Sequence, residues 1–305
     1  MPPPPHLDHI ILLVPYTTLL HPPSTLTTHF TLTPGGRHAD NLTENKLIVF
    51  RDGSYIELIA FINDDPALRA GHWWGDKPFG IIDFAFTSPS GAAADFAGLE
   101  ERLGEGAGFG VGVGRARYEK PVRGGRKRPD GVAVEWEVTF PDVSGSYVQR
   151  GLLPFFCHDV TPRAARVPLD EARVSHPCGA YGISQLVVFV PEEQVEPLAK
   201  VYEAVLGMPD KSVEGGVGNF IVGSVHGVIG TPDPRIVVKA PEEGWQKQRV
   251  KEEKFMIGNL KVARTGGDEA MVIRIEADGE YGMGGIFLES GAKGVRENSG
   301  PEASV

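Results

Sequence analysis

Two ionisable residues stand where a strand has little room for charge. Glu57 interrupts Tyr55-Ile56-Glu57-Leu58-Ile59, and His9 follows Asp8 inside the apolar run from Leu7 to Val14. A buried, unpaired carboxylate is costly and shifts its pKa or finds a cation. A metal, an arginine or a proton would each satisfy Glu57, as would solvent at a sheet edge. His9 reads either as its companion from a matching strand or as an imidazole bonded to neighbouring backbone. Gly35-Gly36-Arg37-His38 places a cation and an imidazole after two permissive glycines. Such a loop can present backbone N–H groups and Arg37 to a substrate carboxylate, or it is a turn with Arg37 in water. His72-Trp73-Trp74 lines the mouth of a cavity or caps the core. His38, Arg37, Trp73 and Trp74 are therefore the candidate substrate-binding residues.

Other motifs lead nowhere. The glycine-rich stretch from Gly104 to Gly114 has no Gly-x-Gly-x-x-Gly register and no Lys-Ser/Thr after it, so nucleotide binding is unsupported. Arg115, Arg117, Lys120, Arg123, Arg126, Lys127 and Arg128 form a basic run that reads as a solvated hairpin tip. Cys157 and His158 are adjacent, and adjacent strand residues face opposite ways, so they cannot form a nucleophilic dyad.

These residues need a framework. The 305 residues carry 30 Lys+Arg against 40 Asp+Glu, a net charge of −10, which gives no global attraction to nucleic acid or anionic membrane. No apolar run approaches the ~20 residues that span a bilayer. The proline run at the start does not read as a secretory signal, and two cysteines make no disulfide framework. A cytoplasmic protein is expected.

Strands are expected over Leu7–Val14, over Leu47–Phe50 and Tyr55–Phe61 around the Asp52-Gly53 turn, and over Ile81–Thr87, Gly110–Tyr118, Val132–Phe140 and Leu152–Cys157. A helix is expected over Pro89–Leu103. After residues 161–182, a linker, come a strand at Ile183–Val190, a helix at Glu192–Leu206 ended by Gly207, and further strands. A charged segment, 242–268, reads as an insertion and 292–305 as a tail. The pattern repeats about three times, at 6–65, 79–160 and 183–291. It predicts an α+β chain.

Leu7-Asp8-His9-Ile10-Ile11, Thr33-Pro34-Gly35-Gly36-Arg37-His38, Asn45-Lys46-Leu47-Ile48-Val49-Phe50 and Asp52-Gly53-Ser54-Tyr55-Ile56-Glu57-Leu58-Ile59 together resemble the glyoxalase-like domain of the vicinal oxygen chelate superfamily. Leu153-Pro154-Phe155-Phe156 resembles the end of that domain's second half. The resemblance covers residues 6–160, and 182–290 by strand pattern alone. It implies βαβββ modules whose curled mixed sheets pair to enclose a cup. The cup's first and last strands would supply ligands to a divalent metal: Zn, Mn, Fe, Co or Ni. Carried over, these are His9 and Glu57 from the first module and Gln185 and Glu289 from the third. The second module offers Asp83 but, at the other position, Pro154. Which modules pair stays open, and an odd number of modules leaves one either unpaired or pairing across a homodimer. The implied activity is metal-assisted isomerase or lyase chemistry on a small molecule with vicinal oxygens, with Glu57 or Glu289 moving the proton. Two alternatives are a metal-free protein that sequesters a small molecule in the same cup, and an extradiol-type dioxygenase. The dioxygenase needs a second histidine from His38, His72 or His158.

Overall fold

A run as apolar as residues 7–14 must be covered on both faces, and the computed structural model shows how. It describes residues 4–104, 116–144, 148–208, 213–228, 231–264, 271–278 and 282–290; from 274 onward only the backbone is described, and the glycine-rich stretch lies almost wholly outside. The first module runs β1 (His6–Leu13), α1 (Tyr16–Leu20), α2 (Ser24–Thr27), β2 (Thr33–His38), β3 (Thr43–Val49) and β4 (Tyr55–Phe61), followed by α3 (Pro66–Arg69). The second runs β5 (Gly80–Thr87), α4 (Ala92–Gly104), β6 (Val122–Lys127), β7 (Ala133–Thr139) and β8 (Phe155–Asp159).

Each module folds its last strand parallel to its first: β1 against β4, β5 against β8. Two seams then join the modules. β1 pairs antiparallel with β5, and β2 pairs antiparallel with β6. The eight strands close in the order β1-β4-β3-β2-β6-β7-β8-β5 and back to β1. Closure leaves no edge in this ring except where β1 takes a further strand. The first and second modules therefore pair with each other. Ile11, Leu13, Ile59, Phe61, Phe140 and Phe155 pack inside the ring.

Between the ring and the third module, α5 (Arg163–Arg166) and α6 (Glu171–Val174) occupy the segment expected to be linker. The third module runs β9 (Ala180–Phe189), α7 (Glu192–Leu206), β10 (Val213–Glu214), β11 (Val217–Ile221), β12 (Gly223–Ser224) and β13 (Arg235–Lys239). Gly207 ends α7 with φ of 66°, the left-handed cap that its position predicts. Arg102 of α4 donates to the α7 carbonyls of Ala204, which also accepts from Gly207 N–H, and Val205, adding to the helix's C-terminal cap.

The charged segment is not an insertion outside the fold. It holds α8 (Gly244–Glu253) and β14 (Met256–Arg264), and β14 pairs antiparallel with β9 just as β5 pairs with β1. β15 (Met271–Asp278) and β16 (Gly282–Ser290) continue that sheet, whose order is β10-β11-β13-β9-β14-β15-β16. The polar residues of β14 hide its strand character in the sequence. Among the described residues the second sheet does not close, and only β12 reaches across to pair with β1.

The β2–β6 seam rests on Gly36. Its φ is 127°, and a Cβ there would lie 2.3 Å from the carbonyl oxygen of Lys127. Gly36→Ala should cost about 1–3 kcal/mol, the range for a non-glycine residue in such a conformation. Urea unfolding measures it, and an unchanged midpoint would mean that the seam is dispensable.

Candidate active site

A bulge on β1 decides what faces the interior. Pairing with β5 runs Leu7 to Phe86 and then His9 to Ala85, so Asp8 is an extra residue. It lies beside His9 instead of on the opposite face, with Asp8 Oδ2 2.6 Å from His9 Nδ1. If Nδ1–H donates to Asp8, the neutral ring turns an unprotonated Nε2 inward. That nitrogen is 3.7 Å from Glu57 Oε2, and the Tyr55 ring stacks on the imidazole at 4.6 Å.

Asp8 is wholly buried, and α5 supplies its counter-charge. Arg166 donates through Nη1 to Asp8 Oδ2 and the Tyr55 hydroxyl, both at 2.8 Å, and through Nε to Asp159 at 2.5 Å. Arg163 Nη1 lies 2.6 Å from the other Asp8 oxygen. Burial pushes the Asp8 pKa up, but the two guanidiniums and His9 outweigh it and hold the carboxyl well below its ordinary range.

Glu57 is held from the other side. Asn45 Nδ2 donates to Oε1 at 2.7 Å, and His38 Nε2 is 3.5 Å from the same oxygen. His38 Nδ1 lies 2.6 Å from the Thr43 hydroxyl. Burial pushes Glu57 up; His38 and His9 in their protonated forms, the Asn45 N–H and Arg126 pull it back below the ordinary carboxylate value. Burial lowers the His38 pKa. Gly35 makes the Asn45 contact possible, since a Cβ there would overlap Asn45 Oδ1 at 1.8 Å.

These groups face a cavity of about 170 Å³. Trp136, Val138, Phe140, Phe155 and Cys157 complete its walls, with Trp74 below and His72 and Trp73 at the rim. Trp73 is 42% exposed. Trp74 is fixed by donating Nε1–H to Asp83 at 2.8 Å. Cys157 faces the cavity while His158 turns away to Asp95 at 2.9 Å, as strand alternation requires.

A family model described as a glyoxalase-like domain matches residues 7–206. The chain belongs to the glyoxalase-like family. Among solved structures, this glyoxalase-like protein is similar to a hypothetical protein from Staphylococcus aureus, with TM-score 0.55 and 14% identity over 78% of this chain and 87% of that one. That likeness is one of fold. Looser superpositions include a xylose isomerase-like TIM barrel/4-hydroxyphenylpyruvate dioxygenase fusion protein (TM-score 0.46, 11% identity, 86% of this chain and 37% of that one). A mutant of 4-hydroxymandelate synthase from Streptomyces coelicolor is another (0.43, 12%, 85% and 70%). No curated protein matches the sequence.

The metal set carried over from the family is not assembled. His9 and Glu57 meet in the cup, but Gln185 lies on β9 and Glu289 on β16, both strands of the other sheet. Glu289 is opposite Val272, and its side chain lies outside the described residues. Within the cup, if Asp83 stands in the place of His9, the β5–β8 register puts Phe155, not Pro154, in the place of Glu57. Phe155 cannot ligate. Asp83 already accepts from Trp74 and from the Phe84 backbone. His38 does bring a second imidazole, yet it and His9 address different oxygens of Glu57. Among the described residues no three His, Cys, Asp or Glu are placed to hold one ion. The donor set does not fit a divalent metal.

The other expected contacts divide by strand parity. Residues 33–38 are a strand and not a loop, so His38 faces the cavity while Arg37 turns outward to an ion pair with Glu44 at 2.7 Å. The sequence reading missed Asn45, Arg126 and Arg166. The pairing of β6 with β7 could have exposed Arg126: it lies opposite Val134 and is 5% exposed, far from a solvated hairpin tip. Nothing local in the sequence marks Arg166. Among the described residues no helix is long and apolar enough to cross a membrane.

Two measurements check this site. Burial raises Asp83 and Asp52 to about 6. An unfolded aspartate titrates near ~3.9, so between about pH 4 and 6 the folded chain keeps protons that the unfolded chain has lost. Their contribution to stability falls as pH rises through that window. Carboxyl ¹³C titration should give midpoints near 6, and a midpoint near 4 for Asp83 would mean that water reaches it. Separately, chelator dialysis should leave the melting temperature unchanged. A saturable rise on adding Zn, Mn, Fe, Co or Ni, lost in His9→Gln, would restore a metal centre to this cup.

Proposed function

We propose that the protein is an enzyme of isomerase or lyase type that moves a proton at a carbon next to a carbonyl group of a small molecule. The observation that carries this is the approach of His9 Nε2 and Glu57 Oε2 at the cavity wall, 3.7 Å apart; with Nδ1–H on Asp8, both are proton acceptors. Each is held from behind, His9 by Asp8 and Glu57 by Asn45.

In this reading a substrate C–H points between the two acceptors. His9 takes the proton, and the imidazolium that forms is stabilised by Asp8 on one side and by the Glu57 carboxylate on the other. The same ring returns the proton to a neighbouring atom, which completes an isomerisation, or to a leaving group, which completes an elimination. Aromatic walls exclude water, so the imidazolium–carboxylate attraction is worth more than in solvent. Asp8 acts as a positioning residue: it fixes the tautomer and the ring angle. Simple sequestration of a ligand would need neither the β1 bulge nor a buried carboxylate behind the imidazole.

The test is proton exchange. The protein is incubated in D₂O with a panel of single-ring ketones, aldehydes and 2-oxo acids, and loss of the C–H signal is followed by NMR. Enzyme-dependent exchange with at least one compound is expected. His9→Gln should lower its rate by ~10²–10⁴-fold, the usual weight of a general base, and Glu57→Gln should also slow it. If no compound exchanges faster with protein than without, proton transfer is not what this cavity does.

A further inference from the structure

Two arginines, Arg126 and Arg166, are buried in the cavity wall, and Arg163 lies half-buried behind it; the last two are paired. Arg163 and Arg166 share Asp8 and Asp159, and that attraction carries both above the ordinary arginine pKa in spite of burial. Arg126 differs. It faces inward from β6, 5% exposed, where a strand position opposite the fully buried Val134 would ordinarily be apolar. Among the described residues it forms no ion pair. Its Nη2 donates to the backbone carbonyl of Arg166 at 2.9 Å, its Nη1 reaches only Asn45 Oδ1 at 3.5 Å, and its Nε has no acceptor. Burial lowers its pKa, the opposite of its two neighbours.

A buried cation with no direct ion pair, its nearest carboxylate Glu57 standing one amide away, and with spare N–H groups is expensive to keep. Arg126 also lines the cavity. Much of the remaining wall is aromatic or apolar, with Asp40 and the exposed Arg123 also on the lining, and about 170 Å³ is close to the ~150 Å³ that houses a single benzene ring. A guanidinium matches a planar carboxylate in shape and charge.

We propose that the cavity binds a small single-ring carboxylate, with the carboxylate on Arg126 and the ring among Trp136, Phe140 and Phe155. This names the substrate class of the enzyme proposed above and rests on that reading for its catalytic meaning. Asn45 joins the two halves, because its oxygen faces Arg126 and its nitrogen donates to Glu57. A carboxylate on Arg126 therefore sits one amide away from Glu57. In a substrate that also carries a carbonyl group, the C–H which that carbonyl activates is carried toward the proton acceptors, and the two carboxylates repel each other across Asn45.

Isothermal titration with benzoate, phenylacetate and cinnamate, each paired with its primary amide, tests this at neutral pH. At least one acid should bind the wild type ten-fold or more tightly than its amide. Arg126→Gln should abolish that preference while leaving the amide's affinity within about two-fold, and Arg126→Lys should restore part of it. The preference is a ratio within one variant, so a general loss of stability cannot imitate it. Glu57→Gln should strengthen acid binding by relieving repulsion. Equal affinity for acid and amide in the wild type, no binding of any acid, or a preference that survives Arg126→Gln would each overturn the proposal. If the preference holds and D₂O exchange fails, the carboxylate site stands and the proton-transfer reading falls. If exchange occurs and the preference is absent, the reverse is true.

Discussion

Strand β1 is paired along both edges, parallel to β4 and antiparallel to β5, and the rest of the molecule is arranged around that strand. Because both partners are fixed, the first and second modules share one closed sheet, and their inward residues share one cavity. His9 and Glu57 come from the first module, while Trp136 and Phe155 come from the second. The same pairing forces the bulge at Asp8. Without that extra residue, alternation would send Asp8 and His9 to opposite faces, and the imidazole would lose the partner that orients it.

The interior handles charge in two units. In one, Asp8 and Asp159 balance Arg163 and Arg166 through direct ion pairs, and the short helix α5 ties the end of the ring to β1. In the other, Glu57 and Arg126 sit on either side of the Asn45 amide without touching. The first unit is closed by direct ion pairs, with Arg163 Nε its one atom lacking an acceptor among the described residues. The second is open toward the cavity, leaving ionised groups whose full pairing awaits a ligand. Electrostatic preorganisation of this kind is available only where the surrounding walls exclude water. Trp74, Trp136, Phe140 and Phe155 give this part of the cavity its apolar wall.

The last third of the chain repeats the opening of the fold and then departs from it. β9, α7 and β13 reproduce the parallel first-to-last pairing, and β14 lies on β9 as β5 lies on β1. Closure on the pattern of the ring would need a last strand returning parallel to β14 and a seam reaching β10. Instead β15 and β16 run on as a meander, and among the described residues the sheet stays open. Its role visible here is support: α7 is capped by Arg102 of α4, and β12 extends β1 at the edge of the ring.

Much was fixed by local pattern. The apolar strands, the Asp52-Gly53 turn, α4, α7 with its glycine cap and the module repeat all follow from short-range periodicity and turn chemistry. So does the singling out of His9 and Glu57, since a charge inside an apolar strand is conspicuous in one dimension. What the sequence could not decide was pairing between distant strands, because the modules have similar apolar edges and only their packing in three dimensions selects a partner. That selection brought His38 and Arg126 to Glu57 and left Gln185 and Glu289 in another sheet. It also turned Arg37 outward, by making a strand of what the sequence presents as a loop. Arg166 shows the limit most clearly: its meaning depends on Asp8, 158 residues earlier, and no spacing rule spans such a distance, because only the closed sheet brings the two together.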